Sequence, residues 1–160
     1  MFKLGKLTDY GTVVMTALAV RPDALRNAHD LADETHVAAP TVSKLLKQLA
    51  KNGLVESIRG AHGGYRLARP PSQITVADVV CALEGPIALT QCAVHEGGCS
   101  IESHCGVRGN WRLINTAIRQ ALESVTLAQM AEPMRRRPAD GDTPMNFLRK
   151  LGQSLPQARE

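Results

Sequence analysis

The run AAPTVSKLLKQLAKNGLVESIRGAHGGYRLAR, residues 38–69, constrains the fold of this chain more than any other stretch. Val42, Leu45, Leu46 and Leu49 recur at helical spacing, while Lys44, Lys47, Gln48 and Lys51 fall on other faces. Pro40 suits the first turn of that helix, and Asn52-Gly53 supplies its stop. Upstream, HDLADETHVA predicts a short acidic helix around 28–35. The few residues from His36 to Ala39 join the two helices in the proportions of a helix-turn-helix. Downstream, LVESIRG and GGYRLAR predict two short strands with residues 61–64 as the tip. A helix-turn-helix followed at once by a glycine-rich basic hairpin is the layout of a winged helix. The expected fold is therefore mainly α with a small β-hairpin wing.

The flanking segments extend this plan. Residues 7–20, LTDYGTVVMTALAV, carry one apolar helical face, and Pro22 closes it because the residue before a proline avoids the helical region. Ser72 or Thr75 can cap a further helix through Val76, Val79, Val80 and Leu83, broken by Gly85-Pro86. Residues 89–107 have no clean period and hold three cysteines. From Arg108 to about Leu127 a stripe returns at Trp111, Ile114, Ile118, Ala121 or Leu122, and Val125. Such a stripe on a long helix suits a partner helix, so it reads as a dimerisation element. The expected divisions are 1–84, a winged helix-turn-helix DNA-binding domain; 85–107, a cysteine loop; 108–130, the long dimerisation helix; and 131–160, a disordered tail with a helical turn near Met145–Leu151.

Charge and composition narrow the function classes. The net charge of +4 is a modest excess, so placement decides. In a groove-reading helix, Pro40 sets the first turn and Thr41, Ser43 and Lys44 supply base-edge or phosphate contacts, with Lys47 and Lys51 as phosphate neutralisers. In the wing, Arg59, His62 and Arg66 stand beside Gly60, Gly63 and Gly64, a basic tip with bare backbone. Helix, turn, basic helix and basic wing in that order predict a double-stranded DNA operator as partner. Aromatics are only 3% of residues, which argues against a base-stacking platform. No stretch approaches the roughly 18 apolar residues of a membrane span, and no cleavable leader is evident, so a cytoplasmic location is expected. The sequence offers no paired nucleophile and base, no phosphate loop and no acid–base carboxylate pair, so no enzyme is expected.

Four cysteines in a reducing compartment read as metal ligands, redox thiols or buried apolar groups rather than disulfides. Cys92-x6-Cys99-x5-Cys105 sets three thiols in a glycine-rich loop, and thiolates are the usual ligands of iron–sulfur centres. The spacing lacks the C-x2-C knuckle of a typical structural zinc site, although zinc on the three cysteines with His95 or His104 is the alternative. Cys81, inside VVCAL, is expected to be a buried apolar thiol.

LTDYG near the start, KLLKQLAKNGLVESIRGAHGGYRLAR through the wing, and three spaced cysteines followed by a long helix together resemble a bacterial winged-helix family. That family includes the iron–sulfur assembly regulator IscR and the nitric-oxide sensor NsrR. The resemblance covers about residues 1–130, and within the family it looks closest to regulators of the SUF cluster-assembly operon. It implies a homodimer on a pseudo-palindromic operator, a repressor's role over cluster-assembly genes, and a 2Fe-2S or 4Fe-4S cluster on Cys92, Cys99 and Cys105. Assembly regulators supply a histidine three residues after the last cysteine, where this sequence has Arg108. Nitric-oxide-sensing members use an aspartate from the partner's first helix, in a pair matching Thr8-Asp9 here. Asp9 of the partner subunit is thus the implied fourth ligand, with His104 and His95 as alternatives. Rival readings are a nitric-oxide-responsive regulator and a cluster-free one answering to zinc, thiol redox or a metabolite.

Overall fold

The computed structural model describes residues 4–60, 62–90, 100 and 104–132. Six α-helices and one hairpin follow in order: α1 Lys6–Val20, α2 Ala28–Thr35, α3 Ala39–Lys51, β1 Val55–Ile58, β2 Gly64–Leu67, α4 Val76–Glu84, α5 Arg108–Glu123 and α6 Leu127–Ala131. The expected mainly helical winged helix-turn-helix is present.

The helix boundaries follow local chemistry. Asn27 caps α2 by accepting from the Asp30 amide at 2.8 Å, and Pro40 sits in the first turn of α3. Thr75 and Asp78 form a reciprocal capping box at the start of α4, each side chain holding the other's backbone N–H. Gly85, at φ 92°, ends α4 in a conformation that glycine tolerates best. Between α2 and α3 the turn is made by His36 at φ 56°, a left-handed position held by a non-glycine residue.

The core lies between α1, α2, α3 and α4. Val14, Met15, Leu31, Val42, Leu45, Leu46, Leu49, Ile74 and Val79 are fully buried. Burying one such side chain contributes about 1.5–3 kcal/mol, so these residues dominate the stability of residues 4–84. The hairpin pairs Val55 with Leu67 through Ile58 with Gly64 in antiparallel register.

The structure departs from the sequence expectation at two places. The stripe from Arg108 to Leu127 is not one helix: α5 ends at Glu123, and the chain turns through Ser124–Thr126 before α6. The turn is paired with the start of α4 and the residues before it, Val76 N–H donating to Val125 O at 2.9 Å and Leu127 N–H to Ile74 O at 2.9 Å. A second capping box, Thr126 with Gln129, starts α6, and Leu127 is fully buried against the core. Burial of Leu127 and these backbone bonds outweigh one more turn of α5. Cys81, expected to be buried, is exposed. It lies on the side of α4 away from Val79 and Leu83, which occupy the core face.

Candidate nucleic-acid interface and cysteine loop

Pro40, Lys44, Lys47 and Lys51 form one exposed stripe along α3, opposite the buried Val42, Leu45, Leu46 and Leu49. Thr41 and Ser43 are half-buried on its flanks. The core-facing leucines thus fix which way the lysines point. Among the described residues none of these lysines makes an ion pair, so the stripe is open cationic surface. Acidic groups sit elsewhere, on α2: Asp30 bonds Asn27, and Glu34 pairs with Arg26.

The wing is held by a joint the sequence did not announce. Arg26, between α1 and α2, exchanges backbone hydrogen bonds with Tyr65, its N–H donating at 2.9 Å and its carbonyl accepting at 2.8 Å. Its guanidinium donates to Glu34 at 2.5 Å. Gly64 makes this contact possible, because a Cβ there would stand 2.9 Å from the Arg26 carbonyl oxygen. Arg26 therefore ties hairpin to helix-turn-helix through both backbone and side chain. At the tip, Arg59, Gly60 and His62 are exposed. Arg66 is also exposed but engaged, its Nε donating to Glu56 at 2.9 Å across the hairpin. Its charge is thereby partly offset, a pairing visible only once the strand register is known.

Of the cysteine set, Cys92 and Cys99, together with His95, lie outside the described residues. Cys105 is half-buried, two residues before Val107, the N-cap of α5. No side chain caps that helix start. A helix N-terminus favours negative charge, so the surroundings suit an anionic thiolate ligand. His104 is exposed beside it. Asp9 lies in the first turn of α1, exposed, its carboxylate making no hydrogen bond or ion pair among the described residues. Its neighbour Thr8 is fully buried, and its hydroxyl donates to Glu84. Gly5 N–H donates to the same carboxylate at 2.8 Å. Among the described residues no three His, Cys, Asp or Glu groups lie close enough to hold a metal ion.

α5 contributes no buried residue. Trp111, Leu113 and Ile114 are exposed, 39%, 61% and 42% respectively, although the helix packs on α4 and its Ile118 and Leu122 are half-buried. The Arg119 guanidinium is held above its ordinary pKa, first by its hydrogen bond to Glu123 and then by that carboxylate's charge. A cavity of about 200 Å³ opens between Leu4, Val80, Glu84, Pro86, Ile87 and Leu122, beneath the start of the cysteine loop.

A helix-turn-helix with an exposed lysine stripe and a wing pinned beside it defines a winged-helix DNA-binding protein. Residues 4–133 match the Rrf2 family, described as an iron-dependent transcriptional regulator, and the chain belongs to that family. It is similar to the regulator NsrR of Halalkalibacterium halodurans, 32% identical over 130 residues, covering 80% of this chain and 89% of that protein. Among solved structures it resembles CymR of B. subtilis, described as the global cysteine regulator, at TM-score 0.68 and 31% identity, covering 82% of this chain and 97% of that one. It also resembles T. potens IscR, at TM-score 0.64 and 30% identity, covering 88% and 94%. The chain is thus a transcription regulator that binds DNA, and its relatives are regulators rather than enzymes. Among the described residues no helix is long and apolar enough to cross a membrane.

Proposed function

We propose that the chain is a homodimeric, cytoplasmic repressor of iron–sulfur cluster assembly genes whose grip on its operator depends on an iron–sulfur cluster. The ligands in this reading are Cys92, Cys99 and Cys105, with Asp9 of the partner subunit as the fourth. The observation that carries it is the unpartnered, exposed Asp9 carboxylate on a helix start whose neighbour Thr8 is locked to Glu84. A carboxylate left open among the described residues, together with three thiols on a segment that has no apolar period of its own, suits a site shared between two copies. Thiolates and a carboxylate form a donor set that iron accepts. When bound, the cluster would supply a redox- and oxygen-labile centre. The chain's own residues do the rest: Thr8 and Gly5 fix α1 against Glu84, and the apolar side of α5 with Trp111 and Ile114 meets its copy. Pro40, Thr41, Ser43, Lys44 and Lys47, with Arg59, Gly60, His62 and Arg66 of the wing, contact the operator.

The likeness to CymR favours a second reading, a cluster-free regulator tied to cysteine metabolism. Anaerobic purification separates the two. Two to four irons per cluster with matching sulfide, lost in Cys105→Ala and altered spectroscopically in Asp9→Ala, supports the first. A colourless protein free of iron that still binds its operator supports the second. A cluster spectrum unchanged in Asp9→Ala removes Asp9 from the ligand set.

A further inference from the structure

The C-terminal end of α4 is where four parts of the chain meet. A helix leaves its last carbonyls without partners of its own. Here those of Ala82 and Leu83 accept from Gln48 Nε2 of α3 at 3.2 and 3.0 Å. Asn52 Nδ2, one turn further along, donates to the Ala82 carbonyl at 3.1 Å. The next residue, Glu84, holds the start of α1 through Gly5 and Thr8. Beyond Gly85, Asn115 of α5 donates to the Ile87 carbonyl and accepts from the Leu89 N–H, both at 3.2 Å. Residues 82–89 are therefore gripped in turn by α3, α1 and α5, and Cys92 follows three residues later.

Gln48 occupies a particular place in this joint. It lies on α3 one turn from Lys44 and beside Lys47, yet its amide faces α4 and not the open stripe. We infer that Gln48 is a positioning residue for DNA recognition: its paired bonds to the end of α4 transmit the conformation of segment 85–90 to the seating of α3. The inference rests on the reading of the cysteine loop as the sensing element. Hydrogen bonds are directional, so a shift of the 82–83 carbonyls must turn α3 or break the pair. Apolar packing at the same place would tolerate such a shift by sliding. A short hydrogen-bonded link of this kind, with its two ends held, can carry coupling between sites when it has two discrete arrangements.

The test uses the whole chain. Hydrogen exchange is followed at the α3 amides 48–52 in wild type, Asn115→Ala, Gln48→Met and the double variant. Asn115→Ala loosens residues 87–89 without touching α3. The expected result is several-fold faster exchange at 48–52 on adding Asn115→Ala to wild type, and no further change on adding it to Gln48→Met. No change in wild type, or the same acceleration in both backgrounds, overturns the inference, since a merely structural Gln48 leaves the Asn115 effect intact. Should Gln48→Met not fold, Gln48→Ala removes the same amide with a smaller side chain and is compared in the same way. A second arm measures affinity for a duplex the protein selects from a random library, after reconstitution with ferrous iron and sulfide and again after chelation. Wild type is expected to change about five-fold or more, and Gln48→Met less than about two-fold. A Gln48→Met ratio equal to that of wild type overturns the inference. A wild-type ratio of one defeats the sensing reading alone, while the exchange comparison still decides the coupling.

Discussion

Residues 4–84 and residues 104–123 are built on opposite terms. The first region is organised around a buried core, to which Leu127 of α6 is added: Met15, Leu31, Leu45, Leu46 and Leu49 are fully buried, and its wing is pinned through Arg26. The second has no buried side chain on α5 and leaves Trp111, Leu113 and Ile114 exposed to solvent. A DNA reader needs a rigid shape before it meets its target. In the proposed reading the second is a sensing and pairing element, which gains from being finished by something else, because only a contact that differs between two states can shift the balance between them.

The comparison breaks most directly at α5. In the proposed dimer, Ile114→Glu is expected to reduce the solution mass from twice 17.2 kDa to a single chain by analytical ultracentrifugation. Losing two-site attachment should lower operator affinity by roughly 100-fold or more. The thermal transition of the winged region should hardly move, since Ile114 is 42% exposed. An unchanged mass would mean that the stripe serves something other than a second copy.

The converse change lies in the reader. Leu46 is fully buried, and Leu46→Ala is expected to cost about 2–5 kcal/mol. Calorimetry should register a fall in melting temperature of roughly 8 °C or more, with the dimer mass retained in the folded protein. Milder again is Lys47→Ala on the α3 stripe. It should leave stability within about 0.5 kcal/mol and reduce the slope of log affinity against log salt by about one for each phosphate that Lys47 neutralises. A slope equal to that of wild type would place Lys47 off the backbone path. The smallest effect is expected at Glu56→Gln in the wing. An exposed ion pair contributes about 0–1 kcal/mol, so the melting temperature should scarcely change. Freeing Arg66 should strengthen operator binding by about two-fold, read in the same salt titration.

The two regions also differed in what their residues disclosed. The reader was legible because its determinants are local: Pro40 and Asn52-Gly53 bound α3, Gly85 bounds α4, and leucines at helical spacing name the buried face. Legibility failed where a long-range contact decided the outcome. Val125 continues the apolar spacing of α5, yet its carbonyl pairs with Val76 and the chain turns. Cys81 sits in an apolar run but on the outer side of a helix only nine residues long. Gln48, Asn52, Glu84 and Asn115 form the joint at the end of α4 through side-chain bonds to backbone groups up to 35 positions away, or to α1 79 positions away. Such bonds have no period. The Glu56–Arg66 pair likewise follows from strand register and not from spacing along the chain.

In the proposed reading, the open half of the molecule is completed by a ligand on its cysteines, and α3 responds to that completion. One measurement addresses it most directly: operator affinity of a single anaerobic preparation, before and after its iron is removed, at fixed salt. A change of about five-fold or more, in either direction, is the predicted result. Equal affinity in the two states, with iron and sulfide loss verified in the same sample, would contradict it.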